Sequence, residues 1–247
     1  MKTINVLSIG NSFSQDGHKY VHDMARKEGV SIELTNLCIS GCPLEIHYRN
    51  MMEDKRSYYI QINGHGTPFL TSLKEGLLTK NWDYITLQQG SHLSYVEESY
   101  EPYLAELVKY VRLMCPKAKV LLHETWGYET GSDAIINAGF QTFEEMFAKI
   151  KLCYAKAAKD VQFDGVIPSG TALSYLLEMG ITKIHRDPLH ASFGVSRLTL
   201  AMLWYHCLTG NDIESINFNG MTEAVSPEEY RIAKEAVKRA LLGGNFS

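Results

Sequence analysis

The sequence predicts an α/β protein, a three-layer α/β/α sandwich built on a parallel sheet of about five strands. Strand-like and helix-like segments alternate along the chain, which favours a sheet covered by helices on both faces. The first strand candidate is a largely apolar run, as suits a central parallel strand. No Pro/Ser-rich linker, low-complexity tract or repeat divides the 247 residues, so positions 1–247 read as one domain.

Each element has its own signal. The run Ile4-Asn5-Val6-Leu7-Ser8-Ile9 stops at Gly10-Asn11 and reads as a central strand over 4–9. A helix over about 17–28 follows, with Tyr20, Val21, Met24 and Ala25 on its apolar side. Residues 32–39 form a second strand, and 84–88, 118–123 and 164–167 supply three more. Helices are expected at about 99–114, 141–159, 170–179 and 192–208, the last carrying Leu198, Leu200, Ala201, Leu203, Trp204 and Leu208 and stopping at Thr209-Gly210. A terminal helix opens near 226 at Ser226-Pro227-Glu228-Glu229, with proline in its first turn. Two long connections remain, 43–82 and the stretch after His123, and both read as loops that select substrate.

Composition narrows the function classes. Hydrophobic residues make up 45% and charged residues 21%, ordinary for a globular chain able to bury a sizeable core. A formal charge of −4 with no basic stripe argues against nucleic acid as a partner. No apolar stretch approaches the roughly 20 residues of a membrane span, and Met1-Lys2 leads straight into the first strand. Five scattered cysteines, Cys38, Cys42, Cys115, Cys153 and Cys207, suit a reducing compartment. The expected location is therefore the cytoplasm, although a chain trimmed of a signal peptide would read the same. Histidines at 47, 65, 123, 185 and 206 have no ligand-like spacing with each other or with Cys38 and Cys42, so no metal and no cofactor is expected.

The chemistry lies in two distant blocks. Ser12 stands in the turn after the first strand, and strand carboxyl ends are where open α/β sheets bind ligands. Serine there is also a common helix cap. Far along the chain, Asp187-Pro188-Leu189-His190 places an acid and a base on one short turn, with Pro188 holding Asp187 out of helical geometry. A serine hydroxyl needs an imidazole to take its proton, and the imidazole works best when a carboxylate fixes its tautomer.

The blocks Gly10-Asn11-Ser12-Phe13-Ser14, Gly41, Leu87-Gln88-Gln89-Gly90-Ser91 and Asp187-Pro188-Leu189-His190 resemble those of the SGNH (GDSL-like) hydrolases, over about residues 4–210. More narrowly, they are similar to a bacterial branch with a GNSFS first block, the DUF4886-like proteins. The resemblance implies a flavodoxin-like fold and a serine esterase, with Ser12 as nucleophile, His190 as base and Asp187 as its orienting acid. It also implies an oxyanion hole made by the Ser12 N–H, the Gly41 N–H and a third-block side chain. Relatives place an asparagine there, whereas this chain offers Gln89, with Gln88 and His92 as alternatives. The implied substrate is a small-molecule or carbohydrate ester, acetylated above all; a lipase is disfavoured because no exposed apolar lid is evident.

The segment His123-Glu124-Thr125-Trp126-Gly127-Tyr128-Glu129 follows a strand and carries two aromatics that suit stacking on a sugar ring, or equally packing over the loop base. Trp126, Tyr128 and His92 are the candidate substrate contacts. A non-catalytic carbohydrate-binding protein on the same fold is the alternative reading. A phosphate or nucleotide binder ranks last, because the Gly10-Asn11-Ser12 turn lacks a P-loop lysine and dinucleotide glycine spacing.

Overall fold

The computed structural model describes residues 2–243. Its sheet has seven strands in the order β4-β3-β2-β1-β5-β6-β7. The five expected parallel strands are β1 (Ile4–Gly10), β2 (Ile32–Cys38), β5 (Tyr84–Leu87), β6 (Lys119–His123) and β7 (Gly165–Ile167). Two further strands, β3 (Tyr58–Ile62) and β4 (His65–Thr71), extend the sheet antiparallel beyond β2.

The extra hairpin corrects the reading of 43–82 as a loop. That segment also contains helices α3 (Leu44–Met52) and α4 (Leu73–Leu78), the latter opened by a capping box in which Ser72 and Glu75 satisfy each other's backbone N–H. The hairpin escapes a pattern search because β4 is an edge strand interrupted by Pro68 and largely exposed, so it carries no buried apolar stripe.

On one face of the sheet, α9 (Val195–Thr209) packs against α1 (Ser12–His18), α2 (Val21–Lys27) and α8 (Ser169–Glu178), and α10 (Pro227–Gly243) closes over α8 and α9. On the other, α3 and α4 pack against α5 (Tyr103–Met114). Two short helices differ from expectation. The predicted 17–28 helix starts earlier, at Ser12, and breaks at Lys19-Tyr20 into α1 and α2. Tyr20 is turned to the carboxyl-terminal segment, its hydroxyl donating to Phe193 O at 2.6 Å and accepting the Thr222 N–H at 2.9 Å. The stretch after β6 is followed by α6 (Asp133–Asn137) and then by α7 (Phe143–Asp160).

Parallel pairing sets the site. Gly10 lies level with Cys38 of β2, and Ile9 with Leu87 of β5, so the turns after three strands share one rim. The chain passes from β1 to β2 on one side and later to β5 on the other, which makes the end of β1 a topological switch point. Ser12 opens α1 at that point.

Packing behind the rim is tight at Gly170. A Cβ there would sit 2.2 Å from Thr125 O and 2.3 Å from Phe147 Cε2. Gly170→Ala is therefore expected to destabilise the protein by about 1–3 kcal/mol, read as a lower urea midpoint at unchanged slope. A wild-type midpoint would show that α8 can shift away from the 124–128 segment.

Candidate active site

Asn11 caps α1 through its side chain, which accepts the Phe13 N–H at 2.9 Å and leaves Ser12 as the first helical residue. Residues 184–192 form a small antiparallel loop. His185 bridges Ala191, Arg186 N–H donates to His190 O at 3.0 Å, and Ser192 N–H donates to Ile184 O at 2.8 Å. Its tip is Asp187-Pro188-Leu189-His190, and the Asp187 carboxylate accepts the N–H groups of Leu189 and His190 at 2.9 Å each.

These elements bring Ser12, His190 and Asp187 into one hydrogen-bonded line. Ser12 Oγ is 2.9 Å from His190 Nε2, and His190 Nδ1 lies 2.9 Å from both carboxylate oxygens of Asp187. An acceptor at Nδ1 fixes the tautomer with its proton there and leaves Nε2 as the acceptor for the serine proton. Burial raises the Asp187 carboxyl, but hydrogen bonds from the Leu189 and His190 backbone and from the His190 ring outweigh it, and the net direction is down. The His190 and Asp187 side chains are 23% and 42% exposed, so the line opens to solvent.

Gly41 lies in the turn after β2 with φ +60, a left-handed geometry that favours glycine. That turn is tied to the serine turn by the Ile39 N–H to Gly10 O bond at 3.2 Å and by Asn11 Nδ2, which reaches Cys42 O at 3.5 Å. Among the described residues, neither the Ser12 N–H nor the Gly41 N–H has a hydrogen-bond acceptor within the protein.

Gln89 does not complete this site. Its Oε1 accepts the N–H groups of Leu44 and Gly90 at 2.9 and 2.8 Å, and its Nε2 donates to Ser99 O and Oγ, both at 2.9 Å. Every polar atom of the carboxamide is engaged in holding α3 and the 90–99 turn. Gln88 is also buried, but it works under the serine turn. Its Oε1 accepts from Ser14 Oγ and from His123 Nδ1 at 2.8 Å, and its Nε2 donates to Asn11 Oδ1 at 2.9 Å. His123 Nε2 then accepts from Ser169 Oγ at 3.0 Å. His92 is exposed on the turn after β5.

Trp126 and Tyr128 are buried, so they do not stack on a sugar and the alternative reading, packing over the loop base, holds. Trp126 lies face to face on Phe13, with ring centroids 4.1 Å apart, and its indole N–H donates to Leu189 O at 2.9 Å. It therefore braces the residue after Ser12 against the residue before His190. Tyr128 packs inward with its hydroxyl 3.1 Å from Ser91 Oγ. The aromatics in 124–128 are struts because the Glu129 N–H also donates to Pro188 O at 2.9 Å and His185 Nε2 to Gly127 O at 3.0 Å, clamping the two loops together.

Residue-by-residue reading missed Asp16, Arg186 and Arg197. Asp16, one helical turn past Ser12, is 1% exposed and accepts from both arginines. The available signal was the opposite charge in the two blocks, an aspartate beside Ser12 and an arginine beside Asp187. Among the described residues, no group of three or more His, Cys, Asp or Glu is arranged to hold a metal ion, and no helix is long and apolar enough to cross a membrane.

Buried titratable groups lie below the rim. Burial holds the imidazoles of His18, His47 and His123 down to about 3, keeping them neutral. Burial pushes the Glu124 carboxyl up to about 7, opposed by its bonds to Thr171, whose N–H donates to Oε1 at 2.7 Å.

A family model described as "Domain of unknown function (DUF4886)" matches residues 5–240. A crystal structure of a DUF4886 family protein from Bacteroides uniformis is similar at 31% identity and TM-score 0.89, covering 98% of this chain and 95% of that one. A Slackia heliotrinireducens protein provisionally described as an SGNH hydrolase matches at 17% identity and TM-score 0.60, over 83% of this chain and 98% of that one. A carbohydrate esterase family 3 protein from Talaromyces cellulolyticus matches at 12% identity and TM-score 0.52, over 84% and 97%. These last two likenesses concern the fold alone. No curated protein matches the chain.

Glu124 yields a pH prediction. Its folded value of about 7 lies above the ordinary 4.5, so the stability tied to its neutral form is full below pH 4.5 and is lost as pH rises through 7. Glu124→Gln is expected to match wild type near pH 5 and to exceed it by about 2 kcal/mol near pH 8 in urea unfolding. An equal difference at both pH values would mean that Glu124 does not titrate in this range.

Proposed function

The chain belongs to the DUF4886 family, and from that premise we propose that it is a serine esterase acting through an acyl-enzyme intermediate. The observation that carries the reading is the Ser12–His190–Asp187 line at the switch point of the sheet. Its SGNH-type fold supports it.

In this reading, Ser12 Oγ attacks the acyl carbon while its proton passes to His190 Nε2. The carboxylate of Asp187 stabilises the imidazolium that forms. The tetrahedral oxyanion takes hydrogen bonds from the free N–H groups of Ser12 and Gly41, and the alcohol leaves with the proton from His190. Water then attacks the acyl-serine with the same base, and Ser12 is restored. Because both third-block glutamines are engaged elsewhere, the hole rests on two backbone donors.

Short acyl groups, acetate above all, on a carbohydrate are the proposed substrates. The support is the family resemblance and the shared fold of a carbohydrate esterase, since the aromatic platform once expected from Trp126 and Tyr128 is buried.

Hydrolysis of p-nitrophenyl acetate should fall by about 10³-fold or more in kcat/KM in both Ser12→Ala and His190→Ala, and wild-type activity should decline along a series of longer acyl chains. A wild type no faster than the two variants would favour a carbohydrate-binding protein instead.

A further inference from the structure

We infer that Asp16 is a positioning residue that holds His190 in register with Ser12, an inference that rests on the esterase reading. Asp16 sits on the same helix as Ser12, four residues on, and its side chain has no exposure. One oxygen accepts from Arg186 Nη1 at 2.8 Å and from Arg197 Nε and Nη2 at 3.0 and 2.6 Å. The other accepts from Arg186 Nη1 at 3.0 Å and from the Ala191 N–H at 3.1 Å. Arg186 also donates to Ala191 O at 2.6 Å. The carboxylate thus grips both sides of the loop that carries Asp187 and His190, from the helix that carries Ser12.

The grip is fixed from a third side. Arg197 is on α9, and the ring of Phe193 lies 4.7 Å from its guanidinium and 5.0 Å from that of Arg186. Arg186 Nε is 3.8 Å from Asp187, so the same cation that binds Asp16 also faces the acid of the line. The charged and titratable groups around the loop are buried His185, Arg186 and Asp187 on it, Asp16 from α1, Lys19 from the break between α1 and α2, Arg197 from α9 and Glu129 from the loop after β6. Two cations, Arg186 and Arg197, balance two carboxylates, Asp16 and Asp187. Removing Asp16 leaves Arg186 and Arg197 without their shared counter-charge next to the Asp187–His190 turn, which disfavours a protonated imidazole there; removing Arg186 takes away a cation beside Asp187 and does the reverse.

The test follows Ser12 labelling by a fluorophosphonate across pH. In Asp16→Asn, labelling slows by about 10- to 100-fold and its acid limb moves to lower pH by about half a unit to one unit. Arg186→Gln, which keeps the buried Asp16–Arg197 pair, moves the acid limb to higher pH and serves if Asp16→Asn does not fold. Loss of packing alone would not shift the two limbs in opposite directions. Wild-type rates in Asp16→Asn, or unmoved acid limbs in both variants, overturn the inference.

A wild type that is not labelled at all refutes the esterase reading and is told apart by NMR. The His190 Nδ1–H proton bonded to Asp187 then gives a slowly exchanging signal in the wild type that is lost in folded Asp16→Asn if Asp16 positions the loop. Its retention there overturns the inference.

Discussion

A buried carboxyl group either stays neutral or is matched by cations, and in this protein the second solution, at Asp16, joins three parts of the chain that are far apart in sequence. Asp16 is enclosed by Arg186 and Arg197, so α1, the 184–192 loop and α9 meet around one buried charge. A buried ion pair is weak evidence for net stability, because desolvation offsets much of the attraction. Breaking one is expensive, however, since the remaining charge stays buried. Such a cluster therefore specifies arrangement more than it adds stability. Here the arrangement specified is the meeting of residue 12 with residue 190.

Beneath this charged joint lies a neutral polar layer. Ser14, Gln88, His123 and Ser169 form one chain of hydrogen bonds under the serine turn, while Ser8 ties His18 to Thr86 beside it. Burial keeps these imidazoles uncharged, so they serve as rigid donors and acceptors rather than as proton carriers. His190 differs from them by its exposure and by its carboxylate partner. The protein thus places several histidines close to one another and gives only one of them access to solvent and a serine hydroxyl together.

Much of the fold was legible because its strands are buried on both faces. Apolar runs at β1, β5 and β6, and the apolar positions Ile32, Leu34 and Leu37 of β2, leave few alternatives, and the observed strands lie within a residue of the expected spans at each end. The hairpin of β3 and β4 was not legible, since an exposed edge strand with Pro68 needs no apolar alternation. The break at Lys19-Tyr20 was hidden for another reason. Tyr20 is apolar enough to continue a helix, and only its distant partners Phe193 and Thr222 turn it aside.

By itself the sequence determined the five parallel strands, the strand-end serine and the Asp–His turn, because strand burial, turn geometry and the need of a serine for a base are local or pairwise demands. Only the tertiary structure decided what the remaining polar and aromatic residues do. Gln88 and Gln89 are neighbours of identical type, yet one supports the serine turn through Asn11 and the other holds α3 through Leu44. Trp126 became a strut and Asp16 a clamp because each meets partners about 60 to 180 residues away. No local pattern encodes which face of a residue a distant element will cover, and that choice belongs to packing.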